Sequence, residues 1–233
     1  MKLNLFYFVV LGGFFLSKAQ DNSPNIILMI GDGMGLSQIS AGMYANNNQT
    51  VLEDFPVIGL SKTQALRNLV TDSAASGTAM ACGEKTYNGV IGINQYNKEL
   101  KSILEICEEN GYNTGLIATS TIVHATPASF YANVVSRKKY EEIALQMSMS
   151  EVDYFIGGGK NYFINRTDNR NLIKEMETVD VVKNLRAFKK SSADKIGLFT
   201  YDDDPPSLNE GRDPILAEYL SATLEKLDNR KKP

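Results

Sequence analysis

Two polar residues, Asp72 and Ser73, precede a run of small residues in the stretch VTDSAASGTAMACG at positions 70–83. A serine at the start of a helix has its hydroxyl oxygen beside unpaired N–H groups, a position that favours an alkoxide or a bound phosphate. Because a serine hydroxyl is a weak nucleophile at its ordinary pKa, it also needs a neighbouring base or metal ion. A plain helix cap is the alternative, since Ser and Asp are the commonest residues at that position.

A second acidic residue, Asp32, lies in the sequence GDGMG at positions 31–35, directly after an apolar run. Its flanking glycines let other groups approach closely, and a carboxylate suits a hard or borderline cation. The glycines lack the spacing of a dinucleotide-binding loop, and no G-x-x-x-x-G-K-[ST] loop occurs in the chain. Asp32 therefore predicts a cation ligand, with a cap of the next helix as the alternative.

The next polar group comprises His124, Thr126 and Arg137. His124 is the only histidine of the chain, and alternate residues of an extended segment would point its side chain and that of Thr126 in one direction. A Ser-His-Asp hydrolase is disfavoured, because the chain has no G-x-S-x-G sequence and no Asp between Ser73 and His124. The fork of Arg137 could bind phosphate oxygens bidentately, although a surface arginine is the simpler interpretation of that residue alone.

These residues need a scaffold, and the hydrophobic pattern predicts one in which strands alternate with helices. Strands are predicted at 25–31, 57–63, 113–120, 152–157, 178–184 and 195–200. Helices are predicted at 36–47, from Ser73 onward, at 98–111, around Pro127, and at 138–150, 169–177, 183–191 and 214–233. This alternation indicates an α/β fold with an open, mostly parallel sheet and helices on both faces. Ligands of such sheets bind beyond the carboxyl ends of the strands, where the polar residues lie.

Length and charge limit the class of protein. With 233 residues, 43% of them hydrophobic, the chain can form one large α/β domain or two small ones. The net charge of -3 and the dispersed basic residues predict no nucleic-acid partner. The acidic segment YDDDPPSLNEGRDP at 201–214 is interpreted as a solvated loop rather than a cation site. Cys82 and Cys107 could form one disulfide or remain two buried free thiols.

Residues 1–19, MKLNLFYFVVLGGFFLSKA, have the pattern of a secretory signal peptide that is cleaved before Gln20. The apolar run from Leu3 to Leu16 is shorter than the roughly 20 residues that span a bilayer, so a membrane anchor is the weaker alternative. The sequence predicts an exported protein, periplasmic or extracellular, without a stable membrane span.

Four stretches together resemble the alkaline phosphatase family: NIILMIGDGMG, VTDSAASGTAMACGEKTYNGVIG, HATPASFYANVVSR and VDYFIGGGKNYF, in the order of that family. The resemblance covers residues 25–230 and implies an alkaline phosphatase-like fold, phosphate monoesters as substrates and a possible homodimer. It also implies that Ser73 is the nucleophile that becomes phosphoserine. Arg137 then clamps the phosphate, and Asp72 orients Arg137. A sulfatase is disfavoured, since the residues after Ser73 lack the Pro and Arg of C/S-x-P-x-R.

The resemblance also implies a metal centre with two Zn²⁺ ions and one Mg²⁺ ion in the complete enzyme. Asp32 resembles the carboxylate that bridges a zinc and the magnesium site, and Ser73 would contact a zinc through its oxygen. Thr126 resembles a magnesium ligand. His124 occupies a position next to the magnesium site where family members carry either Asp or His, and this choice tunes the preferred metal.

The family's remaining metal ligands lie in its second half, beyond the residues of this chain. We therefore expect residues 20–233 to be the N-terminal portion of a single alkaline phosphatase-like domain, with an incomplete sheet and an exposed edge or apolar patch. On this interpretation the chain lacks most zinc ligands and is inactive alone. The alternative function is a non-catalytic exported fragment that binds metal or phosphate.

Overall fold

The computed structural model describes residues 25–229 and divides the chain into two compact units, Met1–Gly31 and Asp32–Pro233. In the first unit, residues 25–31 form neither helix nor strand, and their side chains are nearly all exposed. The strand predicted at 25–31 is therefore wrong, because a strand needs a paired backbone and these residues have no pairing within the described part of the chain. The predicted signal peptide at 1–19 lies outside the described residues.

In the second unit three α-helices precede the first strand, and each strand is then followed by one or two α-helices. Its helices are α1 (Leu36–Ala45), α2 (Ser73–Cys82), α3 (Ile103–Glu109), α4 (Ala125–Ala128), α5 (Tyr140–Met149), α6 (Asn161–Ile164), α7 (Leu172–Glu175), α8 (Leu185–Lys190) and α9 (Leu216–Asn229). Its strands are β1 (Gly115–Thr121), β2 (Tyr154–Gly158), β3 (Val179–Val182) and β4 (Lys195–Phe199). Two short 3-10 helices occur at Val51–Asp54 and Leu208–Glu210.

The four strands form one parallel sheet in the order β1-β2-β4-β3. Tyr154 and Ile156 of β2 belong to a buried cluster that includes Phe188 of α8 and Ala222 of α9. Phe155, between them, lies on the opposite face, where its neighbour Phe199 packs against Phe163 of α6. The open parallel sheet with helices on both faces confirms the predicted fold class, and the strands predicted at its four positions are present.

Two glycines permit close approaches that a side chain would block. A Cβ atom on Gly197 of β4 would lie 2.3 Å from the ring of Phe155. A Cβ atom on Gly77 of α2 would lie 2.6 Å from the hydroxyl of Ser129, so α2 packs tightly beside α4. The small residues of α2 therefore allow this helix to lie close to α4.

Helix α3 begins later than the prediction over 98–111. The helix starts after Ser102, whose hydroxyl accepts a hydrogen bond from the Glu105 N–H at 3.2 Å. The backbone N–H of Ser102 in turn donates to the Glu105 carboxylate at 2.7 Å. This reciprocal capping box satisfies two N–H groups at the helix start. The preceding residues instead form an antiparallel bridge between Ile93 and Glu99.

The strand predicted at 57–63 is also wrong in the described structure. Residues 57–63 have no assigned strand and no described pairing, and Val57, Ile58 and Leu60 expose 82%, 84% and 102% of their surface. Its far end is held by Lys85, whose ammonium group donates to the backbone carbonyl of Gln64 at 2.6 Å. The apolar residues of this segment thus have no partner strand in the described structure, and they leave an apolar surface exposed.

Cys82 and Cys107 are both free thiols and are half-buried. Within residues 25–229, no helix combines the length and the apolar character needed to cross a bilayer. The acidic segment at 201–214 is a loop with one short 3-10 helix, and Asp202 lies 3.7 Å from the Lys160 ammonium group.

Candidate active site

Helix α2 begins at Ser73, but the residue that caps it is Asp72. The Asp72 Oδ1 atom accepts the Ala75 N–H at 2.9 Å, which is the usual N-cap contact. The interpretation of Ser73 as the cap is therefore wrong, because the residue before it already fills that role. The Ser73 hydroxyl remains available for other partners at the positive end of a ten-residue helix.

That partner is Asp32. The Ser73 hydroxyl donates to Asp32 Oδ1 at 3.1 Å, and the Thr126 hydroxyl donates to Asp32 Oδ2 at 2.9 Å. Asp32 does not cap the next helix, since the N-cap of α1 is Gly35. Residues 32, 73 and 126 are far apart in sequence, so the fold brings together one carboxylate and two hydroxyls.

His124 and Thr126 do not lie on an extended segment. His124 is the N-cap of α4 and Thr126 is the second residue of that helix, so the expectation of alternate residues on a strand is wrong. Their side chains meet different groups: Thr126 meets Asp32, and the His124 Nε2 atom lies 3.5 Å from Arg137 Nη2. Residues two positions apart at the start of a helix point in different directions, whereas alternate residues of a strand share one direction.

The electrostatic setting of His124 favours its neutral form. Burial, and then the positive charge of Arg137, lower its pKa, while the carboxylates of Asp204 and Asp32 oppose the shift. A neutral imidazole with its proton on Nδ1 presents a lone pair at Nε2. His124 can therefore accept a hydrogen bond from the Arg137 guanidinium.

Arg137 is also bound to Asp72. Its Nη1 atom donates to Asp72 Oδ2 at 3.1 Å, and both side chains are about one quarter exposed. Partial burial raises the pKa of Asp72, but hydrogen bonds from the Ala75 and Gly89 N–H groups and from Arg137 lower it to a value below the ordinary one. Asp72 is therefore an ionised acceptor that holds the guanidinium in place.

The sequence-based site omitted two residues, Asn88 and Gly89. The Asn88 side chain accepts the Asp72 N–H at 3.1 Å, and the Gly89 N–H donates to Asp72 Oδ2 at 3.0 Å. The Asn-Gly pair is itself a turn signal, so the turn could have been found from sequence. Its contact with Asp72, which lies 16 residues earlier, depends on tertiary structure.

The described residues fit a hard cation better than zinc. Oxygen atoms of Asp32, Ser73 and Thr126 lie together, and such ligands suit Mg²⁺. Zinc sites usually add nitrogen or sulfur ligands, and the single imidazole of His124 lies against Arg137. Between residues 25 and 229, no group of three or more His, Cys, Asp or Glu side chains could hold a metal ion.

Comparison with known proteins supports the same family as the motifs. The sequence model of alkaline phosphatases matches residues 23–233. Alkaline phosphatase 4 of Bacillus subtilis is 37% identical over 237 residues, which cover 93% of this chain and 51% of that protein. The repressible alkaline phosphatase of Saccharomyces cerevisiae is 34% identical over 256 residues, covering 92% and 44%. The chain thus spans about half the length of the curated relatives it matches.

Solved structures extend the similarity to the fold. The alkaline phosphatase of the Antarctic bacterium TAB5 matches with a TM-score of 0.79 and 38% identity, over 85% of this chain and 59% of that one. The Thermus thermophilus enzyme matches with a TM-score of 0.74 and 29% identity, over 85% and 45%. Variants of the TAB5 enzyme in which a histidine is replaced by Glu or Asp hold bound Mg. Motifs, sequence matches and fold agree, and the chain belongs to the alkaline phosphatase family.

Proposed function

We propose that the protein to which this chain belongs hydrolyses phosphate monoesters through a phosphoserine at Ser73. The observation that carries the proposal is the meeting of three groups at the start of α2. These are the Ser73 hydroxyl, the Asp32 carboxylate that accepts its hydrogen bond, and the Asp72–Arg137 ion pair. Family membership supports the reaction class, while the roles of the individual residues rest on this geometry.

Phosphate binding is assigned to Arg137 and to the first N–H groups of α2. The guanidinium uses one N–H on Asp72 and keeps others for phosphate oxygens, which it can bind as a fork. The helix N-terminus adds a partial positive charge on the same side. Both groups would stabilise the charge on the equatorial oxygens during phosphoryl transfer.

The chemical step forms a bond between Ser73 Oγ and phosphorus and breaks the bond from phosphorus to the leaving oxygen. The Ser73 hydroxyl donates a hydrogen bond to Asp32 Oδ1, so Asp32 is placed to take the hydroxyl proton as the serine attacks. The leaving oxygen takes a proton from water and departs as the alcohol, and Asp32 returns its proton to the Ser73 oxygen when the phosphoserine is hydrolysed. Water then hydrolyses the phosphoserine and releases inorganic phosphate. The product serine returns to its hydrogen bond with Asp32.

The proposal includes one metal site formed by the described residues and a pair of zinc ions whose ligands lie elsewhere. Asp32, Ser73 and Thr126 would hold one cation, with Mg²⁺ as the preferred ion and His124 beside the site. Bound metal ions would supply positive charge that activates the serine oxygen and the leaving oxygen. We propose that the ligands for two Zn²⁺ ions come from the part of the family that this chain does not span, because the described residues do not fit zinc.

Export and dimer formation are further parts of the proposal. The leader-like sequence of residues 1–19 supports export to the periplasm or the exterior. A homodimer rests on family resemblance alone.

A second candidate function is a non-catalytic fragment that binds metal or phosphate. It is favoured by the oxygen atoms of Asp32 and Thr126 and by the guanidinium of Arg137, none of which needs a phosphorylated serine in order to bind an ion or phosphate. Asp32, Thr126 and Arg137 would bind the ion or the phosphate, and Ser73 would never become phosphorylated.

The test is direct detection of phosphoserine. The 233-residue chain, and a chimaera that joins it to the unmatched half of Bacillus subtilis alkaline phosphatase 4, are incubated with p-nitrophenyl phosphate, Zn²⁺ and Mg²⁺. Acid quenching and mass spectrometry then locate the phosphoryl group. We expect labelling of Ser73 in the chimaera, abolished by Ser73→Ala and retained in Ser76→Ala, whose side chain lies in the same helix.

Labelling that survives Ser73→Ala would overturn the assigned nucleophile. If a folded chimaera binds phosphate without hydrolysis or labelling, the binding fragment becomes the better description. We expect the 233-residue chain alone to bind phosphate and to hydrolyse the ester slowly or not at all.

A further inference from the structure

A tight turn at Tyr87–Val90 lies between the start of α2 and Arg137. The Val90 N–H donates to the Tyr87 carbonyl at 3.1 Å, which closes the turn. Gly89 has a φ of 84°, a conformation that favours glycine at the third position of a turn. Asn88, the second residue, directs its side chain to the segment before α2.

The Asn88 amide contacts this segment with both of its polar atoms. Its Oδ1 atom accepts the Asp72 N–H at 3.1 Å, and its Nδ2 atom donates to the Val70 carbonyl at 3.0 Å. The opposite orientation of the amide would place oxygen against oxygen and N–H against N–H. Asn88 therefore determines where the backbone of residues 70–72 lies as it enters the helix.

The backbone of Gly89 joins the same segment to the phosphate-binding arginine. Its N–H donates to Asp72 Oδ2 at 3.0 Å, and its carbonyl accepts the Arg137 N–H at 2.7 Å. Asp72 Oδ2 is also the atom that binds the Arg137 guanidinium. Asp72 and Arg137 are therefore linked twice, once through their side chains and once through the turn.

The turn is fixed to the core at its other end. The buried Thr78 of α2 accepts the Gly92 N–H at 2.9 Å and lies 3.4 Å from the Val90 carbonyl. Ile91 and Val134 exchange backbone hydrogen bonds of 2.9 Å in both directions. These contacts hold the turn rigidly against α2 and against the segment that leads to Arg137.

We propose that Asn88 is a positioning residue that, through Asp72, sets Ser73 at the distance from Arg137 that phosphoryl transfer requires. The catalytic meaning of this role rests on the proposed function, whereas the effect on Asp72 does not. Asn88 contacts neither Ser73 nor the Arg137 guanidinium in any hydrogen bond of the described residues. Its action therefore passes through Asp72.

The experiment compares Asn88→Ala with Asn94→Ala in the 233-residue chain. Asn94 is a matched control, since its side chain also accepts two backbone N–H groups, those of Tyr96 and Lys98 at 2.9 and 3.1 Å, within a turn of its own. Amide hydrogen exchange is followed at Ala75 and Gly89. Neither amide is a hydrogen-bond partner of the Asn88 side chain, and both donate to the Asp72 carboxylate. Because Gly89 directly follows Asn88, Ala75 is the more distant reporter.

We expect Asn88→Ala to lower the exchange protection of both amides by about tenfold and Asn94→Ala to leave it unchanged. Binding of inorganic phosphate, measured by ³¹P NMR, should weaken by about five- to tenfold in Asn88→Ala only. If Asn88→Ala does not fold, Asn88→Asp replaces it. That variant keeps an acceptor for the Asp72 N–H, loses the donor to Val70, and should show a smaller loss of the same kind.

Unchanged protection at Ala75 and Gly89 in a folded Asn88 variant would overturn the proposal. Reduced protection with unchanged phosphate binding would overturn it as well, because Asn88 would then be a local loop contact. Reduced protection in a chain that binds no phosphate, even as wild type, supports the effect of Asn88 on Asp72 and counts against the proposed function. The experiment therefore distinguishes a failure of the positioning role of Asn88 from a failure of the proposed function.

Discussion

At the scale of single residues, the two carboxylates near the start of α2 have different partners. Asp72 caps α2 and holds Arg137, while Asp32 takes the hydroxyls of Ser73 and Thr126. Because the cap is occupied by its neighbour, Ser73 can act at the helix start without weakening the helix. Asp72 therefore stabilises the start of α2 and holds Arg137, whereas Asp32 contacts the hydroxyl of the proposed nucleophile.

The role of Arg137 gives the first prediction. Replacing it with lysine keeps the charge but removes the planar fork that can bind Asp72 and phosphate together. We expect Arg137→Lys to weaken binding of inorganic phosphate by about tenfold, as measured by ³¹P NMR. Arg186→Lys, on the exposed surface of α8, is the control and should bind phosphate as the wild type does. Equal affinity in both variants would exclude Arg137 as the phosphate clamp.

Glu108 gives a pH-dependent prediction. Burial, with help from Asp153 and Glu105, raises its pKa to about 7, although a hydrogen bond from Thr114 and the charge of Lys195 oppose the shift. The folded state therefore retains a proton that the unfolded state releases above its ordinary pKa of 4.5. Stability from this group is fully present below pH 4.5 and is lost as the pH rises to about 7.

Glu108→Gln should remove this loss. We expect the variant to gain stability over the wild type between pH 5 and 7, by about 1 kcal/mol after allowance for solvent screening. Urea unfolding across this range measures the difference. Glu109→Gln, next to it and paired at the surface with Lys101, should show a change within about 0.5 kcal/mol. A pH-independent difference for Glu108→Gln would show that its proton is not responsible.

At the scale of elements, the packing of α2 on α4 can be tested with glycine. Gly77→Ala would bring a methyl group within 2.6 Å of the Ser129 hydroxyl, which is itself bound to the Ala125 carbonyl. We expect a loss of about 1–3 kcal/mol in the free energy of unfolding. Gly42→Ala in α1 is the control, because no atom lies within 4 Å of the new methyl group.

The control should be neutral or should stabilise by up to about 1 kcal/mol, since alanine is the better helix former. Thermal or urea unfolding distinguishes the two variants. A Gly77→Ala variant as stable as Gly42→Ala would mean that α4 can move away from α2 at little cost.

Elements were predictable where local signals and burial agree. The four strands of the sheet and helices α1, α2, α5 and α9 lie where apolar periodicity and small residues predict them. The segment 57–63 has the same strand pattern but no partner among the described residues. Pairing is a tertiary property, so sequence pattern alone could not decide it.

The structure brings together candidate residues that the sequence singled out: Asp32 meets Ser73 and Thr126, and Asp72 meets Arg137. Residue type and position after strands or before helices selected Asp32, Ser73, Thr126 and Arg137, and family resemblance supplied their roles. The division between Asp72 as cap and Ser73 as free hydroxyl could not be read from sequence, because both are good N-cap residues. Asn88 was missed because its partner, Asp72, is distant along the chain.

At the scale of the whole molecule, the exposed apolar segment gives the last prediction. Val57, Ile58 and Leu60 form a nearly fully exposed apolar strip, and such strips promote association in water. We expect the 233-residue chain to self-associate with rising concentration, as measured by light scattering after size exclusion. Leu60→Lys should reduce this association. Gln49→Lys, an exposed site with the same charge change, should not.

A chain that remains monomeric at all accessible concentrations would contradict this prediction, because the exposed strip would then not cause association. If Gln49→Lys reduces association as much as Leu60→Lys does, net charge rather than the apolar strip controls it.

The strand order also governs how the chain can assemble during synthesis. In the described sheet β3 pairs only with β4, and β4 lies between β3 and β2 although it is the last strand to be made. Parallel neighbours cannot be joined by a hairpin, so each pairing waits for a crossover to close. On the ribosome, β1 and β2 can meet first, while β3 waits with no neighbour until Phe199 has emerged. The pairings of β4 with β2 and with β3 in this sheet therefore both form only after β4 has been synthesised.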